Sequence, residues 1–188
     1  YVQANPRRAG LFRVPEGTTL AVAQRIGFAW DRRDNPLGAS RGTLVSTSLE
    51  HVRATPFGGE EAGDGIFDAT TSQFLRLTQR VAGYLRLSDK GLALAGSVRW
   101  GMNQQLRSES RTYPDRLFFL GGVDSVRGFL QDSMIPEDIA QQLLEPTSGL
   151  SLNQVVIRGG DAFINPRLEL RIPLSGNVQT GLFLDSGN

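Results

Sequence analysis

No cysteine occurs in the 188 residues, which excludes disulfides, thiolate metal sites and a cysteine nucleophile together. Histidine occurs once, as His51, and lysine once, as Lys90. The 20 basic residues nearly cancel the 19 acidic ones, so the net charge of +1 leaves no surplus from which to build a nucleic-acid groove. Nor is there a run near the roughly 18 consecutive apolar residues of a membrane-spanning helix. The opening Tyr1-Val2-Gln3-Ala4-Asn5 is not a signal peptide. A membrane helix is therefore excluded, but a membrane strand is not. An outer-membrane barrel makes only alternate residues apolar, and the mean hydropathy of -0.21 is compatible with it.

What is present is a period of two. The 22 glycines and 9 prolines recur along the chain and no long segment keeps a 3.6-residue period, so strands are expected. Over 19–31 the even positions are Leu20, Val22, Gln24, Ile26, Phe28 and Trp30, apolar but for the glutamine, with Arg25 among the odd ones. Over 74–87, Leu75, Leu77, Val81 and Leu85 oppose Arg76, Thr78, Arg80 and Arg86. The spans 92–102, 162–174 and 178–185 alternate alike, with Arg99, Arg167, Glu169, Arg171 and Asp185 in the polar phase. A weaker strand over 43–51 sets Val45 and Leu49 against Ser46, Ser48 and Glu50. The apolar residues fix the phases, yet Arg25, Arg76, Arg80, Arg86, Arg99, Arg167 and Arg171 all take the polar side, an outcome of chance about once in a hundred trials.

Such strands fit a soluble sandwich or a membrane barrel with a wet lumen. The connections discriminate. Short links at 31–42, 88–91 and 175–177 alternate with two long ones, so the long loops leave one end of the sheet, as in outer-membrane barrels. Trp30 then falls near the turn side and Trp100 near the loop side, where interfacial aromatics sit.

The longest connection carries "LFFLGGVDSVRGF" (117–129), too apolar for a disordered loop, and "SMIPEDIAQQLLEP" (133–146), which reads as a short helix with Pro136 and two acids in its first turn. A phosphate-binding loop would need Lys and Ser or Thr where Phe129 and Leu130 follow Gly128. A nucleophile elbow would need glycines two residues either side of Ser125, and neither is there. The acidic "GGEEAGDG" (58–65) lacks calcium-loop spacing, and His51 reads as a rim residue. No catalytic or metal constellation emerges, so neither an enzyme nor a cofactor is expected. A structural role for Arg127 fits better: folded inward, its guanidinium needs carboxylates, and the polar phase offers Glu169 and Asp185. Equally open at this point is that both acids pair with Arg167 and Arg171 beside them.

Several segments, in order, resemble the BamA/TamA superfamily of outer-membrane assembly and secretion barrels, also called the bacterial surface antigen family. "DRRDNPLGASRG" looks like its turn between two strands, "FFLGGVDSVRGF" like its signature loop, and "NPRLELRIPL" and "GLFLDSGN" like the two strands that follow. Residues 1–18 and 131–160 match nothing in that pattern. The resemblance implies an all-β fold in which 1–188 is part of a 16-stranded antiparallel transmembrane barrel, about six strands of it, with 103–160 as a long outer loop folded into the lumen. Six strands do not close a membrane barrel, so a longer protein is expected, with the lateral seam and periplasmic POTRA domains elsewhere. The resemblance further implies that Val126, Arg127, Gly128 and Phe129 dock on a wall formed by Glu169, Phe183 and Asp185. It implies a bacterial outer-membrane location, outer-membrane lipid as surroundings, client outer-membrane or secreted proteins and assembly lipoproteins as partners, and no nucleic acid, metal or cofactor. A two-partner secretion transporter of the same superfamily, a passive pore that attracts anions and a soluble binding module are the alternatives.

Overall fold

The computed structural model describes residues 18–57, 72–110, 112, 116–134, 159–175 and 178–188. They form one six-stranded antiparallel sheet in simple meander order, β1 (Thr18–Asp31), β2 (Gly42–Phe57), β3 (Ser72–Arg86), β4 (Ala93–Gln105), β5 (Ala162–Ser175) and β6 (Val178–Asp185). The antiparallel order puts the links from β1 to β2, β3 to β4 and β5 to β6 at one end of the sheet, and those from β2 to β3 and β4 to β5 at the other. The helix expected over 133–146 falls almost wholly outside the described residues. The long connection begins at 106 rather than 103, because β4 continues to Gln105.

Register aligns like with like, since each strand's alternation must match its neighbour's for one face to be apolar. One row runs Ile26, Leu49, Leu77, Met102 across β1 to β4, and another runs Leu85, Leu94, Leu170, Leu182 across β3 to β6. This face is bare of protein: Ile26 is 77% exposed, Phe28 61%, Leu182 66% and Leu184 71%. Rows on the other face run Arg25, Glu50, Arg76, Asn103 and Ser46, Arg80, Arg99, Asn165. A soluble sandwich would bury the apolar face under a second sheet; no second sheet exists among the described residues.

β2 departs most from expectation. It has 16 residues, continuing six beyond His51. Alternation inverts there, with Val52 and Ala54 buried on the polar side and Arg53 exposed on the apolar side. Phe74, the neighbour of Val52 in β3, is likewise polar-side and fully buried. The cause is local cover: at this end the long connection turns back along β3 and β2, with Leu106 N–H donating to the Gln73 carbonyl, Ser110 Oγ accepting from the Gln73 N–H and Arg116 reaching Glu50, and further on it contributes buried Leu117, Phe118, Leu120 and Val126. Its two limbs are held together by Phe118 and Gly160, which exchange hydrogen bonds of 2.9 and 2.8 Å. Phe118 then stacks at 4.8 Å on Phe163, an inward aromatic of β5. Gly101 lies beneath this pair, where an added Cβ would come within 2.8 Å of Phe163 and 2.9 Å of Phe118.

Candidate functional site

The signature loop is shaped by its glycines. Gly121, Gly122 and Gly128 have φ of 115°, 87° and 107°, values that L side chains rarely adopt. A Cβ at Gly121 would run into the Leu130 carbonyl. Ser125 locks the bend: its Oγ accepts from the Gly121 N–H at 2.8 Å and donates to the Gly121 carbonyl at 2.9 Å. Gly122 N–H donates across the loop to the Phe129 carbonyl at 3.1 Å. The result is a compact, internally bonded hairpin whose tip presents Arg127 to the polar face.

The receiving wall is set by the register of β5 and β6. Glu169 stands opposite Phe183, and Asp185, two residues on, stands opposite Arg167. Asp185 accepts from Arg127 three times, from Nε at 2.6 Å, Nη2 at 2.8 Å and the backbone N–H at 3.2 Å. Arg127 Nη1 donates to Glu169 at 2.9 Å, and the guanidinium carbon lies 3.8 Å from the centre of the Phe183 ring. Both pairings left open by the sequence occur at once, because each acid is shared. Arg167 Nε reaches Asp185 at 3.4 Å and Arg171 Nε reaches Glu169 at 2.7 Å. The Asp185 side chain is 1% exposed and that of Glu169 26%, so the two acids are unequal anchors. Asp185, with Glu169 second, holds the Arg127 guanidinium above its ordinary pKa.

Within the tetrad, Val126 is buried and Phe129 is 54% exposed, so the valine and the arginine make the contact with the wall. Val126 packs where Gly187 leaves room, since a Cβ there would lie 2.9 Å from its Cγ2. Gly128 has nothing within 4 Å of an added Cβ, so its positive φ is what requires glycine.

Sequence reasoning missed four further anchoring residues. Asn165, fully buried, donates through Nδ2 to the Ser125 carbonyl at 3.2 Å and the Ser186 carbonyl at 2.6 Å. Arg99 and Arg167 both donate to the Asp124 carbonyl, at 2.8 and 3.1 Å. Glu50, 4% exposed at its side chain, binds Arg25 of β1 at 2.8 Å and Arg116 of the long connection at 2.7 Å. Their shared signal is a polar residue in the polar phase, which by itself does not separate an anchor from a hydrated side chain. His51 Nε2 lies 2.8 Å from Gln73 Nε2, a contact between β2 and β3.

The short turn 32–41 is tied in from the opposite end. Arg171, which binds Glu169, also donates through Nη1 to the Ala39 carbonyl at 2.9 Å. Asp34 organises the turn: it accepts from Ser40 Oγ at 2.6 Å and from the Ser40 and Arg41 amides. These bonds, the Ser40 hydroxyl foremost, hold its carboxyl well below the usual carboxylate range.

Comparison with known proteins agrees with this architecture. The Omp85 superfamily domain matches residues 6–188. A solved structure, BamA from Haemophilus ducreyi lacking POTRA domains 1-3, superposes with a TM-score of 0.64 at 21% identity, over 88% of this chain. The chain spans 29% of that protein's length. No curated protein sequence matches.

Proposed function

This chain belongs to the Omp85 superfamily, and we propose that it forms part of the wall of an outer-membrane barrel that assists the insertion of other outer-membrane proteins. The apolar face meets lipid and the polar face lines a wet lumen into which the long connection folds. Client outer-membrane proteins are the partners, and neither a cofactor nor an enzymatic step takes part. The observation that carries the reading is the Arg127 anchor, in which a guanidinium from the loop is held at 2.6 Å by a buried acid of β6 and at 2.9 Å by an acid of β5. A wall braced from inside resists shear, so strain from an entering client concentrates elsewhere in the barrel, where strands can part.

In the full-length protein, Arg127→Ala is expected to leave folded barrel in the membrane while lowering the level of assembled client barrels. Unchanged client levels refute the proposal. A passive anion-attracting pore is the second reading, favoured by Arg80 and Arg99 standing opposite each other on the polar face. Planar-bilayer conductance with strong anion selectivity, together with unaltered clients on deletion, would select it.

A further inference from the structure

The three wall acids already account for five arginines: Glu50 takes Arg25 and Arg116, Asp185 takes Arg127 and Arg167, and Glu169 takes Arg127 and Arg171. Arg80 and Arg99 are left over. They are direct cross-strand partners in β3 and β4, a placement that brings Cβ atoms within about 4.5–5.5 Å and is destabilising for like charges. Arg80 makes no hydrogen bond or ion pair among the described residues. Arg99 donates only to a neutral acceptor, the Asp124 carbonyl, while the exposed Asp124 carboxylate hydrogen-bonds to neither arginine.

Around them lies a cleft of about 290 Å³, also lined by Ser46, Ser48, Thr78 and Arg76. The three hydroxyls stand on the same face, half-buried, and have no hydrogen-bond partner among the described residues. One flank is closed by Phe118, over which the Arg76 guanidinium stacks at 4.5 Å. Two guanidinium forks and three hydroxyls around one open cleft can all donate to an oxyanion, and the residues that line the cleft include no acid.

We propose that this cleft is an oxyanion-binding site on the polar wall, with Arg80 and Arg99 as charged ligands and Ser46 and Thr78 as hydroxyl donors. It takes a phosphate or carboxylate group, either as a free ion or carried on an acidic peptide. Arg99 also holds the loop through the Asp124 carbonyl, whereas Arg80 takes no part in holding it, so Arg80 is the position that tests the site apart from the anchor.

The test uses the full-length protein in lipid nanodiscs at low ionic strength, with inorganic phosphate and a glutamate-rich peptide as separate probes and chloride of equal ionic strength as control. Wild type is expected to bind saturably by calorimetry. Arg80→Gln should weaken binding at least tenfold and Arg80→Lys less than threefold. Phosphate should raise the thermal unfolding temperature of wild type but not of Arg80→Gln, whose own midpoint in phosphate-free buffer should equal or exceed wild type because a like-charge contact is gone. Binding of phosphate marks a free-ion site; binding of the peptide alone marks one for chain-borne carboxylates. Binding by neither probe, or equal binding by Arg80→Gln, overturns the assignment, and client assembly is a separate readout that bears only on the function proposed above.

Discussion

Asp185 and Glu169 both bind Arg127, but the geometry makes them unequal, and the inequality is measurable. Asp185 receives three of the four N–H groups that Arg127 gives to the wall, and its side chain is 1% exposed; Glu169 receives one and is 26% exposed. At an effective dielectric of about 20, unit charges 4 Å apart attract by about 4 kcal/mol, and removing one member of a buried pair costs about 3 to 5 kcal/mol. Water on the polar face lowers the second figure, and Arg167 remains beside the altered site. Asp185→Asn should therefore weaken loop anchoring by about 2 to 4 kcal/mol, and Glu169→Gln by about 1 kcal/mol or less. The stretch holds no cysteine, so a thiol introduced as Val126→Cys reports the buried contact directly. Maleimide labels that position only when the loop lifts. A change of 3 kcal/mol raises the lifted population about 150-fold at 1.4 kcal/mol per tenfold, so Asp185→Asn should accelerate labelling by roughly two orders of magnitude and Glu169→Gln by no more than tenfold. Equal acceleration by the two, or none, refutes the reasoning. Alkaline pH should not mimic either change. Arg127 has its pKa raised in the folded state, so its contribution is complete below the unfolded value and is lost only as pH rises through the still higher folded one, beyond any pH at which the protein is handled.

Three further outcomes follow from other parts of the sheet. Glu50→Gln should lower stability by about 1 to 3 kcal/mol by thermal unfolding of the full-length protein, most of it through Arg116, since Arg25 is exposed enough to rehydrate. Gly101→Ala should cost about 1 to 3 kcal/mol by overpacking the Phe118–Phe163 pair, whereas Gly83→Ala, with open space around it, should stay within about 0.5 kcal/mol; equal costs would show that the ring contact is not tight. Asp34 has a depressed pKa, so its bonds are complete above the unfolded value and fail only as pH falls through the folded one; hydrogen-exchange protection of the Ser40 and Arg41 amides should hold through about pH 4, and loss of protection near pH 5 would refute the arrangement.

The strands were legible because a two-faced sheet imposes its period on every residue, which puts Ile26, Leu182 and Leu184 on one apolar face; that this face is bare of protein was not in the period, which a sandwich shares. The rule fails where a second layer appears. Val52, Ala54 and Phe74 point inward against the pattern because the long connection covers them, and a local period carries no information about a segment more than 40 residues away. Arg127, Glu169 and Asp185 could be nominated from parity and charge. Asn165 could not, since its donation to two carbonyls depends on where the loop and the end of β6 happen to run.

That dependence has a mechanical consequence. A single sheet has no interior of its own, and the largest group of buried apolar side chains outside the strands, Leu117, Phe118, Leu120 and Val126, belongs to the connection between β4 and β5. The anchors are spread accordingly: Arg116 fastens the connection to β2, Arg99 and Arg167 hold it over β4 and β5, and Arg127 reaches β5 and β6. Arg171 extends the same chain of bonds from Glu169 to the Ala39 carbonyl in the turn at the far end. One loop thus clamps four strands, and losing one anchor loosens the cover over the inward residues Val52 and Phe74 as well as the contact removed. Anchor substitutions should for that reason be less than additive when combined, because the first to free the loop leaves the second with less to lose.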